Sequence, residues 1–568
     1  MDSASFTKRL RIISVCVFFF AFILITKIFL VSVVHKKAYT EKAERQYSTS
    51  SSNVFNRGTI FFSTKDGNPV AAGAMSSGFK VALSTSKIVS ADKAYEALAP
   101  YLKIDKDTFM ARATKKNDPY EEVAIHLTLE QANAIDALKI EGVSIFKDNW
   151  RSYPGQQLAA HTLGFLAFKE NNRVGQYGLE RYYDKVLSKP NDELYVNFFA
   201  EVFADIKEVV TDTKKGDIVT TIEPTVQQNV EEQLKATLEK WNAEEAGAIV
   251  IDPKTGEIYS IALLPTFDLN NFGDVKNLSV YRNTAVENVY EFGSVIKPLV
   301  IAAAINEKKI TPESTYFDSG QVTVNTKKIN NFDKKGRGKA TMQMVLDQSL
   351  NTGMVYVQQK MGNDKFREYM KAYGLGEKTG IDLPNETSGL IKNLESPRDI
   401  EYANASFGQG IAMTPIEAVR AFSSLANGGY LIQPHLVKQI RYETGLSKNI
   451  EIKANEDAII TKETSETITR MLVHDFETYD NGGHKIEHYS VASKTGTAQV
   501  AIEGGGGYYT DRHTHSFFGY FPAYNPKFLV FMYLKNPKGV KYASQTLIPP
   551  FVNLTNFLLN YYNVPPDR

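Results

Sequence analysis

Three short stretches of this 568-residue chain hold residue types that could do chemistry together. The first is Tyr290-Glu291-Phe292-Gly293-Ser294-Val295-Ile296-Lys297-Pro298, which runs into the apolar segment Leu299 to Ile305. A serine hydroxyl is a weak nucleophile and needs a neighbouring base. Lys297 can be that base if burial or nearby positive charge keeps its amine neutral. Proline has no N–H for the carbonyl four residues back, so Pro298 is tolerated only in a first turn. The buried helix predicted from the following Ala, Ile and Leu residues therefore begins close to Ser294. There, unpaired backbone N–H groups and the helix dipole favour negative charge, and Lys297 shares a face with Ser294. Taken alone, the pair also fits a serine cap followed by a lysine on a solvated face.

The second stretch, Ser349-Leu350-Asn351-Thr352-Gly353, follows a predicted helix over Thr341 to Gln348. Residues two apart point to different helix faces, so Ser349 and Asn351 address one site only from a turn between helices. Asn351-Thr352-Gly353 suits such a turn, with a helix cap as the plain alternative. Lys-Thr-Gly occurs three times, at 254–256, 378–380 and 494–496. Lys254 sits on a predicted hairpin turn and Lys378 on a loop leaving a helix. Lys494 alone follows a strand-like run, Tyr489 to Ser493, which Thr495 to Val500 continue. A glycine inside a strand weakens it unless something approaches the backbone closely. A substrate chain along the Gly496 edge is the expected reason. His515 to Phe521 and Lys527 to Leu534 supply two further antiparallel strands, and Gly504 to Gly507 form a rim loop, since no Lys-Ser/Thr follows them.

The elements that must position these residues begin far upstream. Residues 12 to 34 are apolar apart from Ser14, Thr26, Lys27 and Ser32, long enough to span a bilayer. The absence of a small-x-small pattern after them favours an uncleaved anchor over a signal peptide. Lys8, Arg9 and Arg11 on one side are matched by Lys36 and Lys37 on the other, so flanking charge does not set its orientation. A Ser-rich linker (Ser48 to Ser52) leads to a strand candidate at Arg57 to Phe62 and a turn at Asp66-Gly67-Asn68-Pro69. Ser90 to Leu102 reads as helical, and His161 reads as a structural histidine. An amphipathic helix from Glu223-Pro224-Thr225 to Trp241 reads as the hinge into a second domain. The C-terminal helix is expected over Phe551 to Tyr562, with Leu554 and Leu558 in the core. The formal net charge of +1 gives no footprint for nucleic acid. The single cysteine, Cys16, excludes intrachain disulfides and cysteine metal sites. His484 with His488, and His513 with His515, lack the partners a metal site needs. No cofactor is expected.

Ser294-x-x-Lys297, Ser349-x-Asn351 and Lys494-Thr495-Gly496 follow one another at separations of 55 and then 145 residues. This set resembles that of the penicillin-binding proteins. Arg57-Gly58-Thr59-Ile60, Arg151-x-Tyr153-Pro154 and Gly178-Leu179-Glu180 are similar to the pedestal of the class B, monofunctional branch. Ser406-Phe407-Gly408-Gln409-Gly410-Ile411 with Thr414-Pro415 is similar to a further signature of it. The ending Ile548-Pro549-Pro550-Phe551 through Val564-Pro565-Pro566, with His515-Ser516-Phe517-Phe518-Gly519, looks more like the division type than the elongation type. The family pattern has Pro and Thr where this chain has Phe292 and Val295, a departure expected to alter the pocket lip.

The resemblance implies an α+β chain of four parts: a cytoplasmic tail (1–11), a transmembrane anchor (12–34), an elongated mixed α/β pedestal of the dimerisation type (35–240) and a transpeptidase domain (241–568). The last would have a central antiparallel sheet flanked by helices. It implies a D,D-transpeptidase in the cell membrane, with its catalytic domain on the periplasmic side. Ser294 would attack the stem peptide with Lys297 accepting its proton, and Ser349 and Lys494 would relay that proton to the leaving group. Asn351, Thr495, Gly496 and Thr497 would bind substrate, and the backbone N–H groups of Ser294 and Thr497 would form the oxyanion hole. Its implied partners are peptidoglycan stem peptides, β-lactam antibiotics, the membrane, a glycosyltransferase and division proteins, with no metal and no nucleic acid. A vestigial site on a scaffold, and a β-lactamase or β-lactam sensor, are the alternatives.

Overall fold

The computed structural model describes Phe20 and residues 55–115, 120–169, 172–189, 215–452, 455, 457–478, 484–502 and 504–568. The expected anchor, apart from Phe20, the Ser48 to Ser52 linker and Cys16 lie outside the described residues. Among the described residues, no helix is long and apolar enough to cross a membrane.

Two compact units divide the chain, one containing Ser76–Trp150 and the other Arg57–Met75, Arg151–Lys189 and residues 215–568. Strand β1 (Ile60–Ser63) turns through Asp66 to Asn68 into β2 (Pro69–Leu83), as the turn signal predicts. In the smaller unit the end of β2 pairs with β3 (Glu121–Leu127), and short helices at Ala91–Leu98, Lys106–Ala113 and Leu129–Ala137 complete it. Phe109, Leu98, Val81 and Ile135 form its core. Strand β4 (Val143–Ser152) also pairs with β2.

In the larger unit, β1 pairs in parallel with β5 (Gly216–Thr220). Helix α1 (Pro224–Lys240) follows, with Pro224 in its first turn and the Glu223 carboxylate capping the Val226 N–H at 2.7 Å. This is the helix expected as a hinge. It instead packs Val226, Val230 and Leu234 into a core with β6 (Glu245–Ile251), β7 (Ile258–Leu264) and the C-terminal helix.

Next in the chain come α2 (Lys297–Asn306), α3 (Met342–Asp347), α4 (Asn351–Met361), α5 (Pro415–Ala426), β8 (Val437–Tyr442) and α6 (Lys462–Thr478). Three antiparallel strands then close the sheet: β9 (Ala492–Ala501), β10 (Tyr508–Phe521) and β11 (Phe528–Lys535). The order is β9-β10-β11-β6-β7, so the Lys494 strand is an edge. β10 starts at Tyr508 rather than His515, and β9 starts after Tyr489 and Ser490. Both faces of the sheet are covered. Along β11, Leu529, Phe531 and Tyr533 face the core shared with α2, while Phe528, Val530, Met532 and Leu534 face α1 and α7 (Ala543–Tyr561). α7 begins at Ala543 rather than Phe551 and carries Pro549 and Pro550 inside it. Those prolines suggested a helix start; buried Leu547, Ile548 and Phe551 outweigh the two lost helix hydrogen bonds.

The three upstream sequence pieces meet in one buried ion cluster. Arg57, with no exposed side-chain surface, donates through Nε to Glu180 Oε2 at 2.6 Å and lies 2.9 Å from Asp184. Arg151 Nε reaches Glu180 Oε1 at 2.7 Å, and the Tyr153 hydroxyl donates to the same oxygen at 3.1 Å. His161 is buried, contacts the Val280 carbonyl at 2.8 Å through Nε2, and is pushed down to about pKa 4 by burial. It is structural, as expected. Breaking a buried ion pair leaves an uncompensated charge, so Glu180→Ala should cost about 3–5 kcal/mol. Urea unfolding monitored by circular dichroism measures this, and a loss below about 1 kcal/mol, the value of an exposed pair, would contradict it.

Candidate active site

Gly293–Ile296 form a single 3₁₀ turn that leads directly into α2, with Pro298 in the first helical turn. Ser294 lies on that turn, half-buried, at the helix start where the proline argument puts it. α2 is apolar all round, and Leu299 to Ala304 have no solvent exposure. The turn is held by close backbone contacts. Gly293 has φ +66 and donates its N–H to the Gly408 carbonyl at 3.2 Å. A Cβ on Gly408 would stand 2.7 Å from the Gly293 carbonyl carbon, so the signature around Ser406 to Ile411 is the bed on which the nucleophile turn rests. On the other side, Ser516 Oγ donates to the Phe292 carbonyl at 2.7 Å. A Cβ on Gly496 would collide with both of those oxygens and lie 3.0 Å from Val295 Cγ1. On its Cβ side, the close approach at Gly496 is made by this chain's own Phe292 and Ser516.

Phe292 and Val295 are fully buried, and Phe292 meets Phe531 edge-on at 4.9 Å. They fill the core beneath the turn, so the departure from the family pattern does not lie at the lip.

Lys297 enters the site from α2 with no solvent exposure. Its Nζ lies 2.7 Å from the Ser349 carbonyl, 3.1 Å from Ser349 Oγ and 2.9 Å from Asn351 Oδ1. The turn that carries Ser349 is Gln348 to Leu350, between α3 and α4, and Ser349 itself has φ +51. Left-handed backbone costs a non-glycine residue roughly 1 kcal/mol, and here it turns both the carbonyl and the hydroxyl of Ser349 onto one amine. Asn351-Thr352-Gly353, expected to make the turn, is instead the first turn of α4. Asn351 Nδ2 donates to the Asn330 carbonyl at 3.0 Å, leaving one of its N–H groups uncommitted.

Lys494 is 3% exposed on β9, and its Nζ lies 3.3 Å from Asp475 Oδ2 on α6. Burial, and then the charge of Lys494, hold the Lys297 amine well below the usual lysine range, with Asp475 opposing. Burial pushes the Asp475 carboxyl up to about 6, against the pull of Lys494 and with a further push from Asp347. A neutral Lys297 keeps two N–H donors, enough for the Ser349 carbonyl and Asn351 Oδ1, and a lone pair for a hydroxyl hydrogen. Among the described residues, Lys297 makes no hydrogen bond to Ser294, and Lys494 makes none to Ser349. Thr495 is half-buried, and Thr497 Oγ1 accepts the Ala543 N–H at 3.1 Å.

All three predicted stretches thus converge: Lys297 is bonded to the second and is electrostatically coupled to Lys494 in the third. Asp475 was not anticipated. Its signal is the placement of a carboxylate on the apolar stripe Ile468, Met471, Leu472 of α6, where only a buried cation would tolerate it.

The chain is similar to known proteins over both of its parts. Residues 246–553 match the penicillin binding protein transpeptidase domain, and residues 53–221 match the penicillin-binding protein dimerisation domain. Stage V sporulation protein D of Bacillus subtilis (strain 168) is 30% identical over 579 residues, covering 100% of this chain and 88% of that protein. Peptidoglycan D,D-transpeptidase FtsI of Escherichia coli (strain K12) is 26% identical over 490 residues, covering 84% and 79%. The fold is that of penicillin binding protein 2X from Streptococcus thermophilus, with a TM-score of 0.72 at 22% identity over 90% of this chain and 81% of that one. It is equally that of penicillin binding protein 3 from Mycobacterium tuberculosis complexed with aztreonam, with a TM-score of 0.69 at 22% identity over 91% and 98%. A dimerisation domain followed by a transpeptidase domain that takes up more than half the sequence makes this chain a member of the penicillin-binding protein family.

Proposed function

We propose that this protein is a class B peptidoglycan D,D-transpeptidase that cross-links stem peptides through an acyl-enzyme on Ser294. The observation that carries this reading is the buried Lys297 amine, bonded to Ser349 and Asn351 and held near neutrality beside Lys494. Ser294 Oγ attacks the carbonyl between the two terminal D-alanines, and its proton passes to Lys297. The C–N bond breaks, and the proton moves on through the Ser349 hydroxyl to the departing D-alanine amine. The amine of a second stem peptide then attacks the ester, forms the cross-link and returns the hydrogen to Ser294. Ser294 and Thr497 N–H groups stabilise the oxyanion, and Thr495, Thr497 and Asn351 hold the substrate around the Gly496 edge. Lys494 supplies positive charge for the terminal carboxylate.

Residues 12–34 anchor the chain in the cell membrane as a single span, with 35–240 as pedestal and 241–568 as the catalytic domain outside it. The names of its relatives, which refer to sporulation and to FtsI-type transpeptidases, support a role in wall synthesis at division over one in elongation. A glycosyltransferase supplies the polymerised glycan. β-Lactams acylate Ser294 by the same attack.

Intact mass spectrometry after penicillin treatment tests the reading. The wild type gains one penicilloyl adduct and Ser294→Ala gains none; an unmodified wild type would mark a vestigial site. Rapid nitrocefin hydrolysis would indicate a lactamase instead. Lys297 must be neutral to act, so the acylation rate should rise with pH through its lowered pKa and fall about tenfold per unit below it. Lys494→Gln removes a positive neighbour and should move that midpoint to higher pH; an unmoved midpoint would contradict the coupling. Gly496→Ala displaces the Ser294 turn and should slow acylation by about 10²-fold in a folded protein, since misplacements of about 1 Å cost that much. Acylation within about threefold of wild type would show that the turn accommodates a methyl group.

A further inference from the structure

We propose that Asp475 is a positioning residue of this site, the buried counter-charge whose ion pair fixes the Lys494 ammonium beside the Lys297 amine. The inference rests on the transpeptidase reading of Ser294, Lys297 and Lys494. Two lysines deprived of water and close enough to repel compete for charge, so a counter-charge beside one of them separates their roles. The structure contains one such asymmetry. Lys494 Nζ lies 3.3 Å from Asp475 Oδ2, with side-chain exposures of 3% and 5%. Lys297 has only neutral oxygens within hydrogen-bond reach.

Asp475 is built for that pairing. Its other oxygen, Oδ1, is buried with no hydrogen-bond partner among the described residues, and Lys494 is its ion-pair partner. The titratable groups facing it are Lys494 from β9, Lys297 from α2, Asp347 from α3 and His474 beside it on α6. The helix that carries it is fixed to the second motif as well. Gln343 Nε2 on α3 donates to the Met471 carbonyl at 3.0 Å, and His474 Nδ1 lies 3.2 Å from Asp347. α3 ends at the turn that aims Ser349, so α6 sets Lys494 and Ser349 relative to one another.

Without the carboxylate, a buried ammonium at 494 loses its proton more easily, and its charge fades as pH rises. Acylation by a fluorescent penicillin, followed on the full chain across pH, reads this out. For Asp475→Asn the ratio of the rate near pH 8.5 to that near pH 6.5 should fall about tenfold, the equivalent of one pKa unit. Asp475→Glu, which restores the charge, should recover most of that ratio. Asp475→Ser, smaller and equally uncharged, is read alongside so that a misfit of the amide does not decide the result. Thermal melts identify which variants fold. An unchanged ratio in a folded uncharged variant overturns the proposal, and so does a uniform loss of rate at every pH, the mark of a packing role. Wild type that is never labelled at Ser294 would overturn the transpeptidase reading itself, a separate failure.

Discussion

The structure depends on taking one amine out of water. Lys297 sits at the base of an entirely apolar helix, and burying an ammonium there without a counter-ion is costly. Neutrality is the economical state, and the site is arranged so that the neutral amine still has partners: a carbonyl and an amide oxygen for its two hydrogens, and a hydroxyl within reach of its lone pair. The base and the apolar core are therefore one feature. Changes that let water reach the start of α2 would raise the proton affinity of Lys297 and quench it as a base, with every site residue still present.

The second constraint is steric. Three chain segments press on the turn that carries Ser294: the loop at Gly408 against Gly293, and the β9 edge at Gly496 and the Ser516 hydroxyl of β10 against the Phe292 carbonyl. Glycine is needed at 293 and 408, where φ is positive, and at 496, where no Cβ fits. Ser294 is thus positioned by backbone packing more than by side-chain bonds.

Much of this was legible in the sequence, for identifiable reasons. Pro298 limited where α2 could begin, and the flanking strand pattern separated Lys494 from Lys254 and Lys378. Elements whose signals conflicted were harder to read. Pro549 and Pro550 hid the first half of α7, because local propensity argued against what tertiary burial imposes. The turn at Ser349 lies three residues before the expected one, since Asn-Thr-Gly has turn chemistry while the left-handed residue is a serine. No sequence pattern shows that the Phe292 carbonyl and Ser516 Oγ come against Gly496. α6 was passed over, and Asp475 with it, because its partner Lys494 is distant in sequence.

The central claim is that burial and a charged neighbour hold the Lys297 amine well below the usual lysine range. Carbon-13 NMR of the full chain labelled at lysine Cε, with the signal assigned by its loss in Lys297→Arg, measures this directly. The account predicts that the Lys297 signal titrates well below the ordinary lysine range. A Lys297 signal that titrates near 10.4, as in a free lysine, would contradict it.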